Sequence, residues 1–295
     1  MRKHFEIEYL SLTISLTAME VASLPPFLGS ALRGIVGKSL LKADKEACQY
    51  LYDNSNHSDT VQIITKPYMV IPPDMNFPQI IFRRGEILSF EIVLFGNAVI
   101  YARSLVTAMV KMRRFGLGAD RYPFVLSEIM NSCEKRIIWR QESTDISSQG
   151  LKPACLICDE LRNVKEVMIK MCTPLRIRHG GELVTAVTFQ TLIRNITNRI
   201  IALTERYGGW VDSDEVERLQ LLSTEVETVK EKIWIEQLER YSNRSSCKMD
   251  FSGMAGNLEF RGELTPFVPW LYAAERLHVG RNTTFGMGKI SVKFW

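Results

Sequence analysis

No segment of this chain is apolar for long enough to span a bilayer, and the opening MRKHFEIEYL reads as an acidic, alternating strand instead of a signal peptide's apolar run. Paired cysteines are missing too. Cys48, Cys133, Cys155, Cys158, Cys172 and Cys247 are scattered without a disulfide framework, which points to a reducing, cytosolic compartment. Cys155 and Cys158 would make half of a zinc site, but no second close pair completes the four ligands, so neither a metal nor another cofactor is expected. Histidine is scarce: only His4, His57, His179 and His278 are available for proton transfer near neutral pH. What is present fits a globular chain with sizeable cores, 46% hydrophobic and 24% charged over 295 residues, the length of about two domains. A net charge of +4 permits a nucleic-acid partner without demanding one.

The most informative stretch is HVGRNTTFGMGKISVKFW, His278 to Trp295, where a glycine-punctuated loop runs into an alternating strand. Gly280, Gly286 and Gly288 can reach positive φ and bring backbone N–H groups close to a phosphate, while Arg281 and Lys289 add charge. FGMG, from Phe285, has an echo in FGLG, from Phe115. In both places a helical apolar run precedes the glycines and a strand follows. Similarity at so wide a spacing suggests duplicated domains.

The elements repeat accordingly. Strand Phe5 to Ala18, helix Gly29 to Lys42 with a second helical piece Lys45 to Tyr52, strands Val61 to Ile71 and Glu86 to Phe95, helix Asn97 to Arg114 and a strand after FGLG make the first set. Strand Lys165 to Arg178, helix Thr185 to Tyr207, strands Cys247 to Ser252 and Asn257 to Gly262 joined by a turn at Gly253 to Gly256, helix Pro266 to Leu277 and a final strand make the second. This predicts an α+β fold of two tandem ferredoxin-like (RRM-like) βαββαβ domains, residues 1–140 and 160–295, with a charged helical segment inserted over 211–241 and a C-terminal glycine-rich loop.

Five blocks carry a family resemblance: FLGSALRGIVGKSL from Phe27, TPLRI from Thr173, ERYSNRSS from Glu239, GMAGNLEFRGEL from Gly253, and PWLYAAERLHVGRNTTFGMG from Pro269. In that order they resemble the CRISPR-associated endoribonucleases of the repeat-associated mysterious protein (RAMP) superfamily, which cut precursor CRISPR RNA within its repeats. The resemblance implies metal-independent cleavage, with a ribose 2′-hydroxyl attacking the adjacent phosphate. CRISPR repeat RNA is then the expected partner. Other CRISPR effector subunits and a homodimer stay open, and no membrane partner is expected. A noncatalytic RNA-binding subunit of an effector complex is the alternative, because related superfamily members keep the fold and lose cleavage. A duplicated interaction module is the third reading.

Cleavage of this kind needs a base, an acid and charge stabilisation. His57, in the polar stretch DNSNHSD, and His278, at the mouth of the glycine loop, are the acid or base candidates, with Tyr52 as helper. The family pattern would put a histidine at the end of the helix after LRG, where this chain has Tyr52. His278 could equally be a helix C-terminal residue facing the dipole. Arg33 and Lys38 on the first helix, Arg176 and Arg178 around TPLRI, and Gly280, Arg281, Gly286, Gly288 and Lys289 in the loop are the RNA-binding candidates. His179 suits RNA contact more than proton transfer. The run Lys111 to Arg114 is a further basic stretch, and Phe285, Phe294 and Trp295 could stack on bases if exposed.

Overall fold

The computed structural model describes residues 4–52, 65–74, 79–156, 161–179, 182–242 and 247–295. The chain divides into two compact units, one of residues 7–155 and 203–209, the other of residues 1–6, 156–202 and 210–295.

In the first unit the chain runs β1 (Glu8–Ala18), α1 (Gly29–Ala43), α2 (Lys45–Tyr52), β2 (Tyr68–Ile71), β3 (Ile87–Phe95), α3 (Ala102–Met112), β4 (Arg114–Leu117), β5 (Tyr122–Asn131) and β6 (Arg136–Arg140). The sheet is antiparallel in the order β2-β3-β1-β5-β4, with β6 also on β5. The first four strands of that order give the ferredoxin-like arrangement. Alternation in β1 explains the two faces: Leu10, Leu12, Ile14 and Leu16 are buried, opposite Leu94, Ile92, Phe90 and Leu88 of β3. They join one core with Leu32, Ile35, Val36 and Leu40 of α1 and Leu105, Val106 and Met109 of α3. Each such side chain contributes about 1.5–3 kcal/mol on burial. The other face of β1 carries hydroxyls that bond across strands, Ser15 to Ser89 at 3.1 Å and Thr13 to Ser132 at 2.8 Å.

One local device in this unit bears on function. The Asp44 carboxylate accepts the Ala47 N–H at 3.0 Å, capping α2 one residue after α1 ends. The chain therefore doubles back, and the Tyr52 ring lies on Gly37 of α1, where a Cβ would sit 2.6 Å from the ring.

The second unit runs β7 (Glu166–Leu175), a short hairpin of β8 (Arg178–His179) and β9 (Glu182–Leu183), α4 (Phe189–Tyr207, to Ala202 in this unit), α5 (Ser213–Leu222), β10 (Glu227–Glu236), β11 (Glu239–Ser242), β12 (Cys247–Asp250), β13 (Gly253–Arg261), α6 (Val268–Leu277) and β14 (Ile290–Phe294). Its sheet order, β10-β13-β7-β14, is the ferredoxin-like order again. Val167, Ile169 and Met171 are buried between Phe260, Leu258 and Gly256 on one side and Phe294, Val292 and Ile290 on the other. Phe189 of α4 meets Phe260 edge-on with ring centroids 5.1 Å apart.

Three expectations are corrected here. The charged segment over 211–241 is not all helix: only Ser213–Leu222 is, and Glu227–Glu236 forms the second strand of the sheet, paired with β13. Its sequence, ETVKEKIWIE, mixes charges at helical spacing with the β-branched Thr228, Val229, Ile233 and Ile235. Pairing to β13 on an edge lets the charges stay in water and the strand preference of the β-branched residues prevail. Gly253 to Gly256 are strand and not turn, and Cys247–Asp250 pairs with β11 outside the four-stranded sheet. The echo FGLG also differs from FGMG in form. Phe115 to Leu117 lie in β4 and close a tight hairpin to β5, whereas FGMG is irregular, although both stand between the unit's second helix and its last ferredoxin strand.

Candidate functional site

In the second unit the glycine loop and the TPLRI block prove to be one structure. The Thr173 hydroxyl donates to Gly286 O at 2.9 Å and accepts the Lys289 N–H at 2.9 Å. Gly288 N–H donates to Pro174 O at 3.1 Å, and Arg281 N–H donates to Arg176 O at 2.8 Å. Gly286 N–H turns back to Thr283 O at 2.9 Å. The expected phosphate cradle is corrected by these bonds, since the N–H groups of Gly286 and Gly288 are already engaged within the protein. The glycines serve close backbone approach instead. A Cβ on Gly288, at φ +70°, would lie 1.8 Å from Val279 O, and one on Gly280, at φ +78°, would lie 2.4 Å from Arg176 O. What the loop offers a ligand is the half-buried side chains of Arg281 and Lys289.

Arg176 is also reassigned. It is 4% exposed, with its guanidinium donating to Ser252 O and, at 3.1 Å, to the Asp250 carboxylate. It ties the end of β7 to the chain between β12 and β13 and is not free to hold phosphate. Asp250 is held below the usual carboxylate range, mainly by the Ser252 hydroxyl, with Arg176 adding to the effect.

His278 is corrected most sharply. Its ring is 1% exposed, it occupies φ +56° at the C-terminus of α6, and Nδ1 stands 3.1 Å from Met287 O. Burial pushes its pKa down to about 3, with the nearby Arg199 and Lys289 charges adding to the effect. A neutral imidazole then donates from Nδ1 to Met287 O and pins the loop to the helix end. Proton exchange with an RNA in solvent is closed to it. Arg199, itself buried, donates from Nε to Leu277 O at 2.6 Å and supplies the positive charge that the helix end favours.

In the first unit Tyr52, Arg33 and Tyr68 form a stack. The two tyrosine rings lie 5.0 Å apart at 26°, and the Arg33 guanidinium lies 4.7 Å from the Tyr52 centroid. Arg33 Nε donates to Tyr68 Oη at 2.8 Å, and Tyr52 Oη donates to Arg33 O at 2.8 Å. Burial raises the Tyr52 hydroxyl well above its ordinary value and Tyr68 to about 12, so neither ionises near neutrality. Tyr52 as a proton-transfer helper is therefore corrected to a packing role, and Arg33 is drawn into the same stack. Lys38 is exposed on α1 with no partner among the described residues. His57 lies outside the described residues. Tyr52→Phe should cost about 1 kcal/mol of stability by urea titration and change RNA cleavage less than threefold; a loss of 100-fold or more would restore the catalytic reading.

Arg178 is exposed, and the structure adds partners that spacing around TPLRI did not show. Ile177, Arg178 and Val184 face Thr191, Arg194, Asn195 and Asn198 of α4 across a cavity of about 440 Å³. The signal was there in TLIRNITNRI, because positions 191, 194, 195 and 198 recur at helical spacing and make one polar stripe. Of the aromatics, Phe285 packs on Phe251 and Phe294 on Tyr272, each with centroids 5.1 Å apart, while Trp295 is half exposed and donates to Glu166 at 2.5 Å.

Two ferredoxin-like units, the second closed by an internally bonded glycine loop that carries Arg281 and Lys289, place the chain in the tandem ferredoxin-like class of folds. Residues 169–290 match the family described as CRISPR-associated endoribonuclease Cas6, and residues 7–151 match a family described as an N-terminal domain. The second half of the chain is thus similar to the Cas6 endoribonucleases, and the RAMP-type resemblance of the sequence blocks falls on the same residues. An uncharacterized protein of Archaeoglobus fulgidus is 25% identical over 92% of this chain and 93% of its own length. Solved structures agree in fold. A Cas6 product complex superposes with a TM-score of 0.63 at 13% identity, covering 97% of this chain and 100% of the other. Thermus thermophilus Cas6 gives 0.59 at 13%, covering 97% and 99%. A chain of a partial Cas6-RT-Cas1–Cas2 complex gives 0.62 at 14%, covering 98% of this chain and 46% of that one. No helix among the described residues is long and apolar enough to cross a membrane.

Proposed function

We propose that this chain is a metal-independent endoribonuclease that cuts CRISPR repeat RNA in the precursor transcript. The observation that supports this most is the interlock of TPLRI with the glycine loop inside the segment that matches Cas6, which brings the half-buried Arg281 and Lys289 into the same part of the fold as the exposed Arg178. In the reaction a base takes the 2′-hydroxyl proton and the 2′-oxygen attacks the adjacent phosphorus. The 5′-oxygen leaves with a proton from an acid, giving a 2′,3′-cyclic phosphate and a 5′-hydroxyl. Cationic side chains offset the charge gathering on the phosphorus oxygens. Burial removes His278 from the two candidate histidines, and His57 is the one we assign to proton transfer.

The placing of Tyr52 where the family resemblance implies a histidine supports a second reading, an RNA-binding subunit without cleavage. Incubation of the full chain with its cognate repeat RNA in EDTA separates the two. A single cut leaving a cyclic phosphate is expected, and it should fall at least 100-fold in His57→Ala. Tight binding without a cut would favour the noncatalytic subunit, and neither would sink both. Arg281→Ala and Lys289→Ala should each weaken RNA binding and lower the slope of log K against log salt by about 1, whatever the RNA sequence. An unchanged slope in both would remove the loop from the RNA interface.

A further inference from the structure

We propose that the cavity between the β8–β9 hairpin and α4 is a pocket for one unpaired ribonucleotide of the bound RNA, a specificity site apart from the point of cleavage. The proposal rests on the RNA-processing reading above and, apart from Arg178, names residues that reading does not use. The cavity, about 440 Å³, lies within the usual range of a small-ligand site and has room for a base with its sugar.

Its lining is specific in chemistry. Arg178 on the hairpin and Arg194 on α4 face it from two elements, and among the described residues no acidic one lines it, so an anionic ligand is favoured over a metal cation. The side chains of Arg178, Arg194 and Asn198 have no hydrogen-bond or ion-pair partner among the described residues, so their donors are available to a ligand. Asn195 is held in place by its own bond to Thr191 O at 2.8 Å, which orients the stripe. Asn198 brings an amide with both a donor and an acceptor, the equipment for a base edge, and a planar guanidinium can lie on a base face. Ile177, buried, and Val184 give the apolar wall such a base would rest on. A phosphate alone would need the two arginines but not the amide or the wall.

Position supports the same occupant. Ile177 and Arg178 follow directly on Arg176, whose carbonyl holds the Arg281 N–H of the glycine loop at 2.8 Å. A strand of RNA gripped by Arg281 is therefore a few residues of protein from the pocket mouth, and a base not used in pairing can be turned into it.

The test couples protein and RNA changes. The full chain and the Arg194→Ala/Asn198→Ala double variant, both changes lying on an exposed helix face, are titrated with cognate repeat RNA and with a series of the same RNA in which one nucleotide at a time is abasic. In the wild type one abasic position should weaken binding about 10-fold more than its neighbours. The double variant should bind the intact RNA about 10-fold more weakly and be indifferent to that same position. Equal penalties in variant and wild type at every position would overturn the pocket while leaving the endoribonuclease reading in place. A wild type that does not bind repeat RNA would overturn both. Equal weakening by the variant for every RNA, with no abasic position singled out, would mean that the arginines act on phosphate alone, and the proposal would fall.

Discussion

Gly288→Ala is expected to lower the melting temperature by about 10 °C, the largest effect of any single methyl group considered in this chain. The new Cβ would stand 1.8 Å from Val279 O, where no flexible side chain can move aside, and the residue would have to hold φ +70° as well. Left-handed backbone alone costs a non-glycine residue about 1–2 kcal/mol. Relief of the clash means breaking the Val279 N–H bond to Gly288 O, at 2.9 Å, or the Gly288 N–H bond to Pro174 O, at 3.1 Å, and each lost bond adds about 1 kcal/mol. The total is roughly 3 kcal/mol or more, read as an early transition by calorimetry. Gly34→Ala is the control: Gly34 is exposed inside α1 with open space around it, so alanine should stabilise by about 0.5–1 kcal/mol. If Gly288→Ala melted like the wild type, the loop would not be closed in the way its bonds require.

The second large effect is acid destabilisation through His278. Its folded pKa, about 3, lies below the ordinary 6.5 of the unfolded chain, so the unfolded state takes up the proton first as pH falls. Stability is complete above about pH 6.5 and is lost progressively from there toward pH 3, by up to about 5 kcal/mol for the full difference. Urea titrations at pH 7.5 and pH 4 should show the wild type losing roughly 3 kcal/mol more than His278→Gln, which keeps a donor for Met287 O but cannot take up a proton. Parallel losses in the two proteins would mean that His278 is accessible and titrates normally. The same experiment bears on mechanism, because a ring that cannot be charged in the folded state is not the base or the acid of the reaction.

Much of the fold was legible where one physical signal dominated. The period-two alternation of Leu10, Leu12, Ile14 and Leu16 admits only a half-buried strand, and the helical stripe of α1 follows it as the ferredoxin-like order requires. The signal failed where two periods coexisted. ETVKEKIWIE carries charges that suit a solvated helix and β-branched residues that suit a strand, and only pairing with β13 decides between them. The candidate site divides in the same way. The residue types of the loop were right about backbone freedom and wrong about its use, because sequence cannot tell whether a freed N–H meets a phosphate or, like that of Gly288, a carbonyl of the same chain.

By itself the sequence determined the duplicated ferredoxin-like order, the glycine positions and the pool of cations, because periodicity, missing Cβ atoms and fixed charge are properties of residues in a row. The tertiary structure alone decided which of those cations stay outside. Arg176 and Arg33 are consumed by a carbonyl, a carboxylate and two tyrosine rings, His278 is sealed neutral under the loop, and Arg178 and Arg194 are left facing one cavity. Burial and partnership arise between residues far apart in the chain, and they set whether a charge serves the fold or a ligand.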